Sequence, residues 1–242
     1  INLALRQHPE AKQFRFVTIF DFVGLDSMSA NPLEWLGVYF WNRIWSRDYR
    51  LKRKPVSDLA LFVGEPEDVP DRAFGFGLPN RRDFARAMYT FVGYIFPFEV
   101  KDYLHPHQFK KKLGYRDEPL LLCSIGGTSI GKELLELCGS AYTIVKKSIP
   151  DIQSVLVTGP RLSTESVRVP TGITIKGFVP RLYEHFAACD LAIVQGGATS
   201  TLELTALRRP FIYFPIEGHC EQASVARLLT RRKAGVQMTL ST

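Results

Sequence analysis

From about residue 119 onward the chain alternates short apolar runs with helical patterns, and nothing else in the sequence restricts the fold so strongly. Pro119–Ser124 (PLLLCS) is continuously apolar, as in a strand covered on both faces. The turn Ile125-Gly126-Gly127-Thr128-Ser129 follows. Ile130, Leu134, Leu137, Ala141 and Ile144 then recur at spacings of three and four, and Pro150 ends the helix they describe. Ser154–Thr158 and Ile173–Val179 read as further strands. Pro180 fits the first turn of a helix reaching about Cys189. Leu191–Val194 is a buried strand, Gly196-Gly197 a tight turn, and the next helix runs to about Arg208. Pro210–Ile216 and His219–Ala234 give one more strand and helix. Strands alternating with helices of this length predict right-handed βαβ units around a parallel sheet.

Residues 1–97 are less regular. Phe14–Val23, Leu59–Val63 and Phe91–Ile95 read as strands and Pro32–Leu51 as a helix. Residues 98–118 are polar and charged. They read as a linker between an N-terminal domain (1–97) and a C-terminal domain (119–242).

Composition narrows the function. Hydrophobic content of 45% and charged content of 23% exclude disorder and fibrous repeats. No apolar run approaches the roughly 18–20 residues that a membrane-spanning helix needs. Cys123, Cys138, Cys189 and Cys220 form no CxxC pair, and the five histidines do not cluster, so no metal site is expected. Free thiols and the lack of a secretory leader suit the cytoplasm. The net charge of +7 suits phosphates or an anionic membrane face.

Leu191–Gln222 carries the strongest chemical signal. A buried strand ends in Gln195-Gly196-Gly197, and Ala198, Thr199 and Ser200 open a helix. Such a helix start offers unpaired N–H groups and a partial positive charge to a phosphate. Glu203 lies one turn further on, where its carboxylate could accept ribose hydroxyls. Ser200-x-x-Glu203 also has the form of a capping box that closes the helix on itself. His219, Glu221 and Gln222 follow the next strand. Ser124, Gly126, Gly127 and Thr128 repeat the glycine-turn logic. Arg161 offers a cation, and Phe178 a ring for a base or for the core. In an open parallel sheet, ligands bind where such loops gather, at the carboxyl ends of the strands.

In order and spacing these pieces resemble the nucleotide-sugar-binding half of GT-B glycosyltransferases, and specifically glycosyltransferase family 28. The matching residues are Gly177-Phe178-Val179, Gly196-Gly197-x-Thr199 with Glu203, Pro210 to Pro215, Glu221-Gln222, and Ser124-Ile125-Gly126-Gly127. The resemblance covers about residues 119–238. It implies a GT-B α/β fold of two Rossmann-like domains, the N-terminal one and the last helices incomplete in this chain. It also implies an inverting sugar transfer from a UDP-type donor that needs no metal or other cofactor. Phe178 and Val179 are then expected at the base and Glu203 at the ribose. Ser124, Gly126, Gly127, Thr128, Gly197, Ala198 and Thr199 are expected to cradle the diphosphate, and Glu221 and Gln222, with His219 nearby, to bind the sugar. Two positions depart from the pattern. Arg209 stands where relatives have Gly, and Gln195 stands where plant and animal relatives have His. The family's general base belongs to sequence preceding this chain, so no catalytic residue is named.

Leu36–Lys54 joins Tyr39, Phe40, Trp41 and Trp45 to Arg43, Arg47, Arg50, Lys52, Arg53 and Lys54. This is the pattern of a peripheral membrane anchor serving a lipid-linked acceptor, and equally of a packed helix with a solvated basic tail. No nucleic-acid recognition motif accompanies it. A sugar-nucleotide 2-epimerase and a non-catalytic nucleotide-sugar-binding protein share the same nucleotide pocket and are the alternative functions.

Overall fold

The computed structural model describes residues 2–8, 10, 12–127 and 130–240. The chain divides into two compact units, 1–95 and 96–242. The first holds α1 (Asn2–Gln7), β1 (Val17–Phe20), α2 (Pro32–Trp45), α3 (Arg47–Arg50), β2 (Leu59–Phe62), α4 (Arg81–Met88) and β3 (Thr90–Phe91). Its three strands are parallel in the order β1-β2-β3, with Val17 opposite Leu59 and Leu61 opposite Thr90. Val23, Phe62, Val69, Phe74 and Phe84 form its core. Buried Asn42 ties α2 in through the backbone of Leu25 and the carbonyl of Phe74. The strand expected over Phe91–Ile95 stops at Phe91, because Gly93 adopts φ +68° and turns the chain away. Helix α4 was not expected from the sequence. It is capped by Asn80, whose side chain accepts from the N–H groups of Arg82 and Asp83.

The second unit holds α5 (Pro106–Lys112), β4 (Leu120–Ser124), α6 (Lys132–Ser148), β5 (Gln153–Val157), β6 (Ile173–Lys176) and α7 (Leu182–Ala188). It continues with β7 (Leu191–Val194), α8 (Ala198–Ala206), β8 (Phe211–Tyr213), α9 (Cys220–Arg232) and β9 (Val236–Gln237). All six strands are parallel, in the order β6-β5-β4-β7-β8-β9. Helix α6 covers one face through Leu134, Leu135 and Cys138. Helices α5, α7, α8 and α9 cover the other through Phe109, Phe186, Leu204 and Leu229. β4 is buried at every position, as its unbroken apolar run requires. The helix expected from Pro180 starts at Leu182, after Arg181 in the left-handed region.

The stretch 98–118 is not a linker. α5 and the turn Val100–Tyr103 are folded parts of the second unit, and Phe98, Tyr103 and Phe109 pack into its core. Lys110 is 3% exposed, donating to Asp190 at 2.7 Å and to the carbonyls of Asp117 and Glu118. One charge that reads as solvent-facing, that of Lys110, is held inside the domain, while Lys101, Asp102, Lys111, Lys112, Arg116 and Asp117 are exposed. Among the described residues no helix is long and apolar enough to cross a membrane.

Candidate functional site

The chain runs from β4 to β5 to β6 in one direction across the sheet and from β7 to β8 to β9 in the other. The reversal falls between β4 and β7, which pair directly, Ser124 opposite Val194. In an open parallel sheet the crevice for a ligand lies at this switch point, at the carboxyl ends of the strands. Both glycine loops predicted from the sequence leave the sheet there.

The loop after β7 is built for close approach. Gly196 has φ +84° and lies against Pro215 and Tyr213, so the turn itself requires it. Gly197, the N-cap of α8, has φ −67° and ψ 149°, which any residue adopts, and a Cβ there would meet nothing within 4 Å. Here the missing side chain leaves open space rather than relieving strain. No side chain caps α8, so its first N–H groups face outward with the partial positive charge of the helix start. Thr199 is exposed, and Ala198 and Ser200 are half-buried. Because the helix begins at Ala198, Ser200 lies inside its first turn, and the capping box with Glu203 does not form.

Glu203 is 7% exposed; its backbone carbonyl accepts from the N–H of Leu207, and among the described residues its carboxyl has no side-chain or backbone donor. Burial pushes its carboxyl up to about 7, since desolvation penalises the charged form. This leaves a largely buried carboxyl one turn below an uncapped helix start.

The loop after β4 mirrors this arrangement. Ser124 is buried, and its hydroxyl accepts from the N–H of Gly126 at 3.3 Å. Gly126 has φ +72°, and a Cβ on Gly126 or Gly127 would meet nothing within 4 Å. Thr128 lies outside the described residues. Gln195 is buried, and its amide donates to the carbonyl of Ile130 at 2.8 Å, so one glycine loop holds the other.

The remaining predicted residues also lie at the carboxyl edge. Exposed Arg161 follows β5 and, among the described residues, makes no ion pair. Phe178, after β6, is 68% exposed, whereas the side chain of Val179 packs against the core. His219 and Glu221 are exposed at the start of α9. Gln222 is buried, and its side-chain oxygen accepts from the N–H of Ile216 at 2.7 Å, shaping the loop after β8. From β6 to β8 these residues span four strand spacings, about 19 Å.

Sequence reasoning missed two glycines. A Cβ on Gly159, which follows β5 at φ +75°, would come within 2.2 Å of the carbonyl of Gly126. A Cβ on Gly131, at φ +120°, would come within 2.7 Å of the Gln195 amide. Their signal was a glycine shortly after each strand end, which becomes meaningful only once the strands are neighbours. Among the described residues no three His, Cys, Asp or Glu side chains gather as a metal site.

Comparison with known proteins bears on this geometry. An uncharacterized glycosyltransferase of Methanosarcina acetivorans is 26% identical over 187 residues, covering 72% of this chain and 43% of its own length. The UDP-N-acetylglucosamine–N-acetylmuramyl-(pentapeptide) pyrophosphoryl-undecaprenol N-acetylglucosamine transferase of Carboxydothermus hydrogenoformans is 25% identical over 144 residues. That match covers 57% of this chain and 34% of the relative. The chain thus spans less than half the length of either. The solved structure of CalG4, the calicheamicin glycosyltransferase, superposes with a TM-score of 0.57 at 16% identity, over 98% of this chain and 60% of that one. The shared fold is GT-B. The profile of the glycosyltransferase family 28 C-terminal domain matches residues 121–241, half of the 242-residue chain. This chain therefore belongs to glycosyltransferase family 28, and its six-stranded unit is the family's C-terminal domain.

Proposed function

We propose that this chain is the donor-binding part of an inverting, metal-independent glycosyltransferase that moves a sugar from a UDP-type nucleotide sugar to an acceptor hydroxyl. One observation carries the reading. Two glycine loops and an uncapped helix start flank the switch point of the sheet, with the partnerless carboxyl of Glu203 one turn below. The loops and helix start suit a diphosphate, Glu203 suits the paired hydroxyls of a ribose, and the exposed ring of Phe178 suits a base. The relative from Carboxydothermus, named for a UDP-linked donor, supports the choice of uracil.

In the reaction the acceptor hydroxyl oxygen attacks the anomeric carbon, giving up its proton to a general base, as the bond to the diphosphate oxygen breaks. Negative charge grows on the departing nucleoside diphosphate. Fixed N–H dipoles at the start of α8 and in the loop after β4 then stabilise the transition state more than the ground state. Glu221 and the Gln222 amide group are assigned to the sugar hydroxyls, with His219 beside them.

A lipid-linked acceptor is part of the proposal. Leu33, Leu36, Phe40 and Ile44 recur at helical spacing along α2 and are exposed, and the basic run Arg47–Lys54 follows. Trp45 and Tyr39 pack into the core of their unit, so only part of the aromatic set is available to a membrane. This arrangement supports peripheral contact with an anionic bilayer.

The test is calorimetric titration with UDP, UDP-GlcNAc, UDP-glucose and a dTDP- or GDP-sugar, with and without EDTA. Micromolar to low-millimolar binding of the uridine series alone, unchanged by EDTA, is the expected outcome. Binding that disappears with EDTA, or that favours another base, overturns the corresponding part of the proposal.

A further inference from the structure

Gln195 precedes the glycine turn after β7, where relatives from plants and animals place a His. The structure points its amide into the neighbouring loop. Its Nε2 donates to the carbonyl of Ile130, immediately before α6 begins, and the side chain is 8% exposed. The next residue, Gly131, is the N-cap of α6, with φ +120° and no side-chain cap. An ideal Cβ there would lie 2.7 Å from the Gln195 amide and 2.8 Å from Ile125. A side chain at 131 therefore meets two obstacles, the backbone conformation and the amide itself. Gln195 and Gly131 fit each other as a latch and its recess.

The position of this latch gives it a consequence. β4 and β7 are the two strands at the switch point, and α6 and α8 leave them on opposite faces of the sheet. Nothing in the parallel ladder fixes the distance between the starts of those helices, because the ladder ends at Ser124 and Val194. The bond from Gln195 to Ile130 bridges the gap just beyond the last pair.

We propose that Gln195 is a positioning residue. Seated over Gly131, it sets the start of α6 against the start of α8 and so fixes the width of the cradle for the donor's diphosphate. This rests on the donor reading above. Gln195 itself does not bind the phosphate.

Two measurements separate the latch from that reading. The first is hydrogen exchange on the ligand-free full chain. Gln195→Ala should speed exchange at Gly126, Gly127, Ile130 and Gly131 and leave the strand amides of β4 and β7 unchanged. Unaltered exchange in that loop overturns the latch whatever the ligand is. The second is calorimetry with UDP and with uridine. Gln195→Ala should weaken UDP about tenfold, the scale of one buried hydrogen bond, and leave uridine within about twofold. A general loosening of the fold lowers both affinities and overturns the proposal. So does faster exchange with unchanged UDP affinity, since the latch then positions nothing the donor uses. Gly131→Ala should reproduce the loss, and the double variant should lose little more than either alone. Additive losses would mark Gln195 as a direct phosphate contact instead. If the unaltered chain binds no nucleotide, the donor reading and the donor-positioning role fall together, while exchange still decides the latch.

Discussion

The two edges of the six-stranded sheet are built from similar residue types and differ in what they leave open. At the amino edge, polar side chains are spent on the protein. Lys110 reaches Asp190 and two carbonyls, and Asp190 also accepts from the N–H of Leu120. Gln153 joins the backbone of Arg116 and Glu118 through three hydrogen bonds. At the carboxyl edge, the Glu203 carboxyl has no donor among the described residues, α8 starts without a side-chain cap, and Gly127 and Gly197 leave space unfilled. Neither edge is wholly self-satisfied, since Glu118 Oε2 and Ser154 Oγ lack partners at the amino edge while Gln195 and Gln222 are bonded within the protein at the carboxyl edge. What sets the carboxyl edge apart is the uncapped start of α8 and the open space at its glycines.

That contrast makes mutations separable. The largest effect belongs to the amino edge. Lys110→Ala should cost on the order of 3 kcal/mol in denaturant unfolding by leaving two carbonyls without their donor, while half-exposed Asp190 keeps the N–H of Leu120. The remaining folded fraction should bind nucleotide normally, and a matching loss of affinity would erase the distinction between the edges. Next comes Glu203, whose carboxyl titrates near 7 in the fold against 4.5 unfolded. A raised folded pKa means stability present below about 4.5 and lost as pH rises through about 7. Glu203→Gln should flatten that decline and at pH 8 be more stable by on the order of 2–3 kcal/mol in thermal or urea melts. The same site should show the reverse sign in binding. Glu203→Ala should weaken UDP more than tenfold, roughly 1.4 kcal/mol or above, for lost charged hydrogen bonds. Phe178→Ala should cost about 1 kcal/mol in uridine binding and nothing in stability, as its exposure implies. The smallest effect is expected at Arg161→Ala. A few-fold loss for UDP that fades in high salt, with uridine unchanged, would fit an exposed cation facing phosphate.

Legibility in the sequence followed burial. β4, covered on both faces, read directly as an apolar run, and the helix pattern beginning at Ile130 located α6 to within two residues at either end. Where tertiary contacts set the structure, local pattern failed. The run 98–118 looked like a solvated connection because its core contribution is a few aromatics and one lysine whose partner lies 80 residues away. The two-residue strand β9 and the shortened β3 are too brief to show a period. The candidate site was legible because glycine turns at strand ends carry local constraints. The bond from Gln195 to Ile130 was not, because 65 residues separate the partners and only the pairing of β4 with β7 makes them neighbours.

The titration of Glu203 near neutrality reaches beyond stability. A carboxyl that titrates near 7 is shared between its acid and its anion at physiological pH. Ribose hydroxyls donating to the anion would draw the equilibrium toward it, so on the proposed donor reading binding near pH 7 should be accompanied by release of part of a proton. Apparent affinity should then rise with pH to a plateau above 7. The measured heat of binding should depend on the ionisation enthalpy of the buffer, and Glu203→Gln should remove both dependences. On the donor reading proposed above, uptake of the nucleotide and release of acid would be one step.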